Sequence, residues 1–249
     1  ANSVNAKPKN AVIIGGGFIG LELAENLVHK GIATSVIEAT NQVMAPLDVE
    51  MVSFVHNELI KHGIDLHLGS AVTEIKSDSV VLASGQVIPA EIVVSAIGVK
   101  PEVSLAKESG LTIGERGGIA VNDFNQTNDS DIYAVGDAAE KKDSLDGSVT
   151  LVPLANIANR HGRIVADHIC GKKVRIVSTQ ATAIVKVFDL TVATTGWNEK
   201  KLVAANREYL AIHTHPASHA GYYPGAQGMS LKLLVDKKSG EILGAQAVG

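Results

Sequence analysis

The sequence predicts an α/β protein. Its first hundred residues read as a mostly parallel, doubly wound sheet, and its last third as an antiparallel sheet. Three observations carry this reading. Apolar strand-like runs alternate with helix-length amphipathic stretches between about residues 10 and 100. The glycine-rich run GGGFIGLELAENL, Gly15 to Leu27, joins the first apolar run to the first helical pattern. From about residue 173 onward strands dominate and end in a hairpin.

The elements follow in order. Residues 11–14 (AVII) are the first strand. The helix after the glycines ends near Lys30 and Gly31, with Gly31 as its C-cap. Residues 31–39 (GIATSVIEA) are a short second strand ending in an acid, Glu38. A helix then opens at Pro46, carries an apolar stripe of Val52, Val55 and Leu59, and is closed by Gly63. Residues 64–68 (IDLHL) alternate as a third strand, and residues 80–82 and 87–88 form a hairpin around ASGQ. Residues 92–96 (IVVSA) read as a buried strand. Beyond about residue 101 the texture changes. GGIAV (117–121) and DIYAV (131–135) are short strands in polar surroundings, and a helix starts near Pro153 and stops at Gly171. Strands are then expected at 182–187, 190–194, 209–213, 230–235 and 242–248, with a turn at DKKSG (236–240) between the last two. Residues 1–9 are polar and read as a linker. The remaining boundaries divide the chain at 10–100, 101–172 and 173–249.

Gly15, Gly17 and Gly20 have the G-x-G-x-x-G spacing of a dinucleotide-binding turn. Gly15 permits the tight strand-to-helix turn. Gly17 lets the backbone approach a pyrophosphate, and Gly20 lets the helix pack closely on the strand. The anion then sits on the N–H groups of a helix N-terminus, with Gly16 and Ile19 completing the turn. Glu38 lies about 20 residues beyond the last glycine, where a carboxylate accepts hydrogen bonds from a ribose 2′-hydroxyl and repels a 2′-phosphate. No arginine follows it in Ala39, Thr40, Asn41 or Gln42. NADH is therefore expected over NADPH.

The bulk composition limits the alternatives. The chain has 249 residues, 45% of them hydrophobic, which is enough for a sizeable core. A net charge of -4 and 4% aromatics give no pattern for nucleic acid or an anionic membrane. The apolar runs are too short to span a bilayer. A single cysteine fits a reducing compartment, and a cytoplasmic location is expected. A Tyr-x-x-x-Lys pair is absent, because Tyr133, Tyr209, Tyr222 and Tyr223 lack a lysine four residues on.

Four separated motifs together resemble the pyridine nucleotide–disulfide oxidoreductase family. They are GGGFIGLE at the first turn, SAIGVKPE (95–102), TNDSDIYAVGDAAE (127–140) and VPLANIANRHGRIVADHI (152–169). The resemblance implies a Rossmann-like NAD(H)-binding domain, the second part of an FAD-binding domain, and a C-terminal α+β domain whose antiparallel sheet mediates homodimerisation. It implies hydride transfer from NADH to FAD, then electron transfer to a cysteine centre and on to a small disulfide or persulfide. HAGYYPGA (219–226) resembles the CoA-disulfide reductase and NADH oxidase/peroxidase branch. That branch makes CoA disulfide, oxygen or peroxide the candidate acceptors.

The resemblance also assigns residues. Phe18 and Glu22, the latter read as lying in the first helical turn, would face the nicotinamide, and Gly98 would line its pocket. Gly136 and Asp137 would meet the flavin ribityl chain, and the helix start at Leu154 and Ala155 would face the flavin ring. Tyr222 and Tyr223 would reach the partner subunit's active site. The family's N-terminal FAD glycine motif and redox cysteine do not occur in this sequence, which reads as an internal piece unable to complete catalysis alone. Cys170 is expected to be a packed thiol despite the neighbouring Lys172 and Lys173. His213 and His215 share a strand face, but no third ligand follows, so no metal site is expected.

Overall fold

The computed structural model describes residues 8–175 and 178–249, so residues 1–7 of the expected linker lie outside the described residues. The described chain divides into two compact units. One combines the residues up to Gly98 with Ile184–Gly249, and the other is Val99–Ala183.

In the first unit, β1 (Asn10–Ile14), β2 (Ala33–Ile37), β3 (Asp65–His67) and β7 (Ile92–Ser95) form a parallel sheet in the order β3-β2-β1-β7. The register places Ile14 beside Ile37 on one side and beside Ser95 on the other. The C-terminal ends of β1, β2 and β7 therefore lie together, where open α/β sheets hold their ligands. Helix α1 (Phe18–His29) packs back through buried Gly20, Leu21, Ala24 and Leu27, at the i, i+3/i+4 spacing of a helix that covers a sheet. Helix α2 (Val49–Lys61) buries Met51, Val52, Val55, Glu58 and Leu59. It starts three residues beyond Pro46, with Asp48 as its N-cap residue, because the 39–47 segment is bound elsewhere, as described below. The strand β4 (Val72–Ile75) adds to the expected hairpin of β5 (Ser79–Leu82) and β6 (Val87–Pro89), giving a three-stranded antiparallel sheet. β7 is half-buried rather than buried.

The C-terminal sheet has the order β10-β11-β14-β13-β12, built from β10 (Ala183–Val187), β11 (Leu190–Gly196), β12 (Tyr209–Thr214), β13 (Ser230–Asp236) and β14 (Ile242–Val248). A short helix, Glu199–Ala204, lies between β11 and β12 and has no counterpart in the sequence reading. Asn198 caps it through a 3.0 Å bond from the Lys201 N–H. This sheet shares a core with the nucleotide-type sheet: Val185, Val187, Phe188, Val192 and Val248 lie in one apolar cluster with Leu21, Val36, Val55 and Leu59. The β10–β11 turn enters that core. Phe188, 2% exposed, stacks on His62 at 4.1 Å and donates its N–H to Glu25 Oε2 at 2.9 Å.

The second unit has less regular structure. It contains a helix at Ser104–Glu108, the ribbon of β8 (Lys141–Lys142) with β9 (Val149–Thr150), and a long helix at Ala155–Ile169. The expected strands at 117–121 and 131–135 are isolated bridges instead: Ile113 with Ile119, Ile119 with Ala139, and Gln126 with Tyr133. Side chains do part of the work of a ladder here. Asn125, 1% exposed and at φ +58, donates from Nδ2 to the Ala134 carbonyl at 2.6 Å. The 155–169 helix buries Ile157, His161 and Val165, one per turn.

Candidate functional site

The glycine turn sits at the C-terminal end of β1, and its three glycines differ in what a side chain would meet. A Cβ at Gly15, whose φ is +108, would lie 2.5 Å from the Ala96 carbonyl oxygen. One at Gly20 would lie 2.1 Å from the Gly15 carbonyl oxygen. Both exclusions come from backbone, so neither neighbour yields easily. A Cβ at Gly17 would meet nothing within 4 Å. Gly17 is exposed, extended at φ -77 and ψ -179, and is the N-cap residue of α1 with no side chain capping the helix. Helix geometry leaves the N–H groups of Phe18, Ile19 and Gly20 without an intrahelical acceptor beside that open space. This is a cradle that a side chain would fill, positioned where the helix dipole favours an anion.

Glu38 and Gly16 are bonded to each other. The Gly16 N–H donates to Glu38 Oε2 at 2.8 Å, and the Thr40 N–H and hydroxyl donate to Oε1 at 2.8 and 2.9 Å. Burial raises the Glu38 pKa, but those donors outweigh it and hold the carboxyl below its usual range. The Ala39 N–H adds to these donors, so the carboxylate is kept ionised and fixed in place beside the turn. On the other face, the Gly16 carbonyl accepts the Met44 N–H at 2.8 Å. The Gly16 peptide is thus held from both sides by the segment that follows β2.

The remaining residues of this unit take varied positions. Phe18 is half-buried against the core, and Ile19 is 53% exposed. Glu22 is exposed and lies in the second turn of α1, not the first, because the helix begins at Phe18. Gly98, at φ +116, is exposed with open space around it beyond β7. Tyr222 and Tyr223 are 83% and 60% exposed in the connection from β12 to β13, with ring centroids 4.8 Å apart. His213 bonds Glu50 at 3.0 Å, while His215 lies beyond the end of β12 and bonds Ser230 at 3.1 Å, so the two do not converge.

In the second unit the Gly136 turn, which carries Asp137, lies against the start of the helix that follows Leu154. A Cβ at Gly136, φ +79, would make ordinary 3.8 Å contact with Ala158 in the first turn of the 155–169 helix. Leu154 is the N-cap residue, with no side-chain cap, and Ala155 and Asp137 are exposed. At the helix start the Ile157 N–H is taken by Asn156 Oδ1 at 2.8 Å, so the donors that helix geometry leaves over are those of Ala155 and Asn156. Lys141 was not singled out in the sequence. Its Nζ donates to the carbonyls of Gly136 at 2.6 Å and Ala139 at 2.8 Å, so it shapes the turn that carries Asp137. Burial lowers the Lys141 pKa, opposed by the nearby Asp137 carboxylate. A lysine four residues after an aspartate in a glycine turn was the available signal. Cys170 caps the C-terminus of the helix and is exposed, not packed, while Lys172 is engaged by Asp167 at 2.6 Å.

Comparison with known proteins identifies the family. Residues 2–162 match the family described as pyridine nucleotide-disulphide oxidoreductase, and residues 182–249 match its dimerisation domain. The solved structure of reduced CoADR-RHD from Bacillus anthracis is 47% identical with a TM-score of 0.96, covering 99% of this chain and 45% of that one. The NAD-dependent persulfide reductase of A. fulgidus is 38% identical with a TM-score of 0.96, covering 100% of this chain and 47% of that one. The NAD(P)H coenzyme A polysulfide/persulfide reductase of Pyrococcus horikoshii is 33% identical over 98% of this chain and 55% of its own length. The chain spans about half the length of the curated relatives it matches.

Proposed function

Because the chain belongs to the pyridine nucleotide-disulphide oxidoreductase family, we propose that it carries the NADH site and part of the FAD site of an NADH-dependent disulfide or persulfide reductase. The observation that carries the NADH assignment is the open cradle at Gly17, with the Glu38 carboxylate bound to the same turn through Gly16. The N–H groups at the start of α1 receive the pyrophosphate, and the Glu38 carboxylate receives a ribose hydroxyl. Phe18, Glu22 and Gly98 are assigned to the nicotinamide end.

Gly136, Asp137, Leu154 and Ala155 are assigned to the flavin. Asp137 offers an acceptor for ribityl hydroxyls, and the Ala155 and Asn156 N–H groups at the helix start offer donors to an electron-rich ring edge. The bound cofactors supply the hydride and electron chemistry, while this chain orients them. A coenzyme A disulfide or persulfide is the favoured substrate class, since similar sequences carry those names. Tyr222 and Tyr223 are assigned to the partner's active site in a homodimer. The match of residues 182–249 to a dimerisation domain and the exposed Ile184, Leu210 and Ile212 on the C-terminal sheet support that dimer. Among the described residues no helix is long and apolar enough to cross a membrane, and reduction of thiol disulfides suits a cytoplasmic setting.

Binding of NADH and NADPH to the parent protein and to Glu38→Ala tests the reading. NADH binds more tightly to the parent. The substitution weakens NADH by about tenfold or more, the value of one hydrogen bond to a charged group, and narrows the difference from NADPH. Equal affinity for both nucleotides in the parent protein would refute it.

A further inference from the structure

The segment 39–47 (ATNQVMAPL) runs from β2 to α2 along the glycine turn. Val43 is fully buried, and a Cβ at Gly16 would lie 2.6 Å from its Cγ1. Met44, 1% exposed, adopts φ +48, a left-handed conformation that a non-glycine residue holds only when its surroundings impose it. Within the segment, Gln42 Nε2 donates to the Leu47 carbonyl at 2.9 Å. The buried Val43 N–H is served from outside: it donates to His56 Nε2 on α2 at 3.2 Å. An N–H can donate only to a lone pair, so His56 is neutral, with its proton on Nδ1.

We propose that His56 is a positioning residue for the nucleotide: as a neutral acceptor it holds the 39–47 segment against Gly16, and nucleotide affinity falls when it takes up a proton. The inference rests on the nucleotide site proposed above. Protonation places a second N–H at Nε2, donor against donor with Val43. The segment or the ring must then give way, and the Met44 bond to the Gly16 carbonyl goes with it. Burial holds the His56 pKa below its ordinary value, so the bond is intact at neutral pH and is lost on acidification.

The charged groups around His56 are engaged elsewhere. On α2, Glu50 pairs with Lys232 and His213, and Glu58 pairs with Lys61 and His62. The 39–47 segment has no ionisable side chain. At its ends, Glu38 is bonded to Gly16 and Thr40, and Asp48 pairs with Lys232. On β3, Asp65 pairs with His67. β14, which also packs against α2, has no titratable side chain.

Calorimetric titration of the holoenzyme with ADP-ribose, which is redox-inert and acid-stable, tests this between about pH 8 and pH 5. The parent loses about three- to tenfold in affinity across that range, the value of one hydrogen bond. His56→Gln keeps a neutral acceptor that does not titrate, so it binds as the parent does at the upper pH and stays flat. His56→Leu is weak and flat throughout. A parent profile without slope, or the parent's slope persisting in His56→Gln, overturns the proposal. Failure of the underlying site reading looks different: ADP-ribose binding would be absent at neutral pH, or unaffected by Glu38→Ala.

Discussion

Replacing Lys232 with methionine should destabilise the first unit by about 3 kcal/mol. The Lys232 side chain is 0% exposed, and its ammonium is held by three carboxylates: Asp48 at 2.9 Å, Glu199 at 3.3 Å and Glu50. Asp48 is itself 2% exposed. Methionine matches the stem of lysine, so little volume is lost and the main effect is electrostatic. Removing one member of a buried ion pair costs about 3–5 kcal/mol, because the other charge is left uncompensated. Two donors remain on Asp48 in the variant, Gln246 Nε2 at 2.6 Å and the Glu199 N–H at 3.0 Å. It also stays at the N-terminus of α2, where the dipole favours a negative charge. These place the cost at the lower end of the range. Urea unfolding followed by circular dichroism and by fluorescence of Trp197, 5% exposed in the same unit, measures it. Adding Asp48→Asn removes the stranded charge and should recover about 1–2 kcal/mol of the loss, a coupling expected of contacting charges. A loss under about 1 kcal/mol, or strict additivity in the double variant, would refute the reasoning.

The glycine turn should separate stability from binding. Gly20→Ala forces a carbon against the Gly15 carbonyl and should lower the unfolding midpoint, whereas Gly17→Ala meets open space and should leave it unchanged while weakening ADP-ribose binding by about tenfold. Calorimetry and thermal unfolding of both variants check this. Glu50 should contribute to acid stability. Burial raises its pKa, but hydrogen bonds from Lys232 and His213 bring it down to about 2. Its stabilisation is therefore present above its unfolded value of about 4.3 and is lost as pH falls toward 2. Glu50→Gln should flatten stability across that window in an acid titration. Lys141→Met should release the Gly136 and Ala139 carbonyls and lower flavin retention of the holoenzyme, read as the ratio of visible to ultraviolet absorbance.

The sequence alone determined what local sterics and periodicity encode. The G-x-G-x-x-G spacing placed Gly15 and Gly20 where backbone contacts exclude any side chain, and the alternation of apolar runs located β1, β2, β3 and the strands of the C-terminal sheet. The acid at the end of β2 was legible because strand length fixes where Glu38 emerges.

Only the tertiary structure decided the rest. Asp48 meets Gln246 across 198 residues of chain, and Phe188 meets Glu25 across 163. No local pattern records such pairings, and they place the C-terminal sheet in one core with the nucleotide-type sheet. The same cause hid the true start of α2, since Lys200 and Asn198 hold the carbonyls at Ala45 and Pro46 outside the helix. The segments at 117–121 and 131–135 carry strand-like composition, yet they form only isolated bridges, because pairing depends on which neighbours arrive and not on β-propensity. His56 was not singled out in the sequence. Its role follows from the chain turning at Met44 to bring the Val43 N–H to the imidazole, a geometry that arises only once the helix, the turn and the loop are packed together.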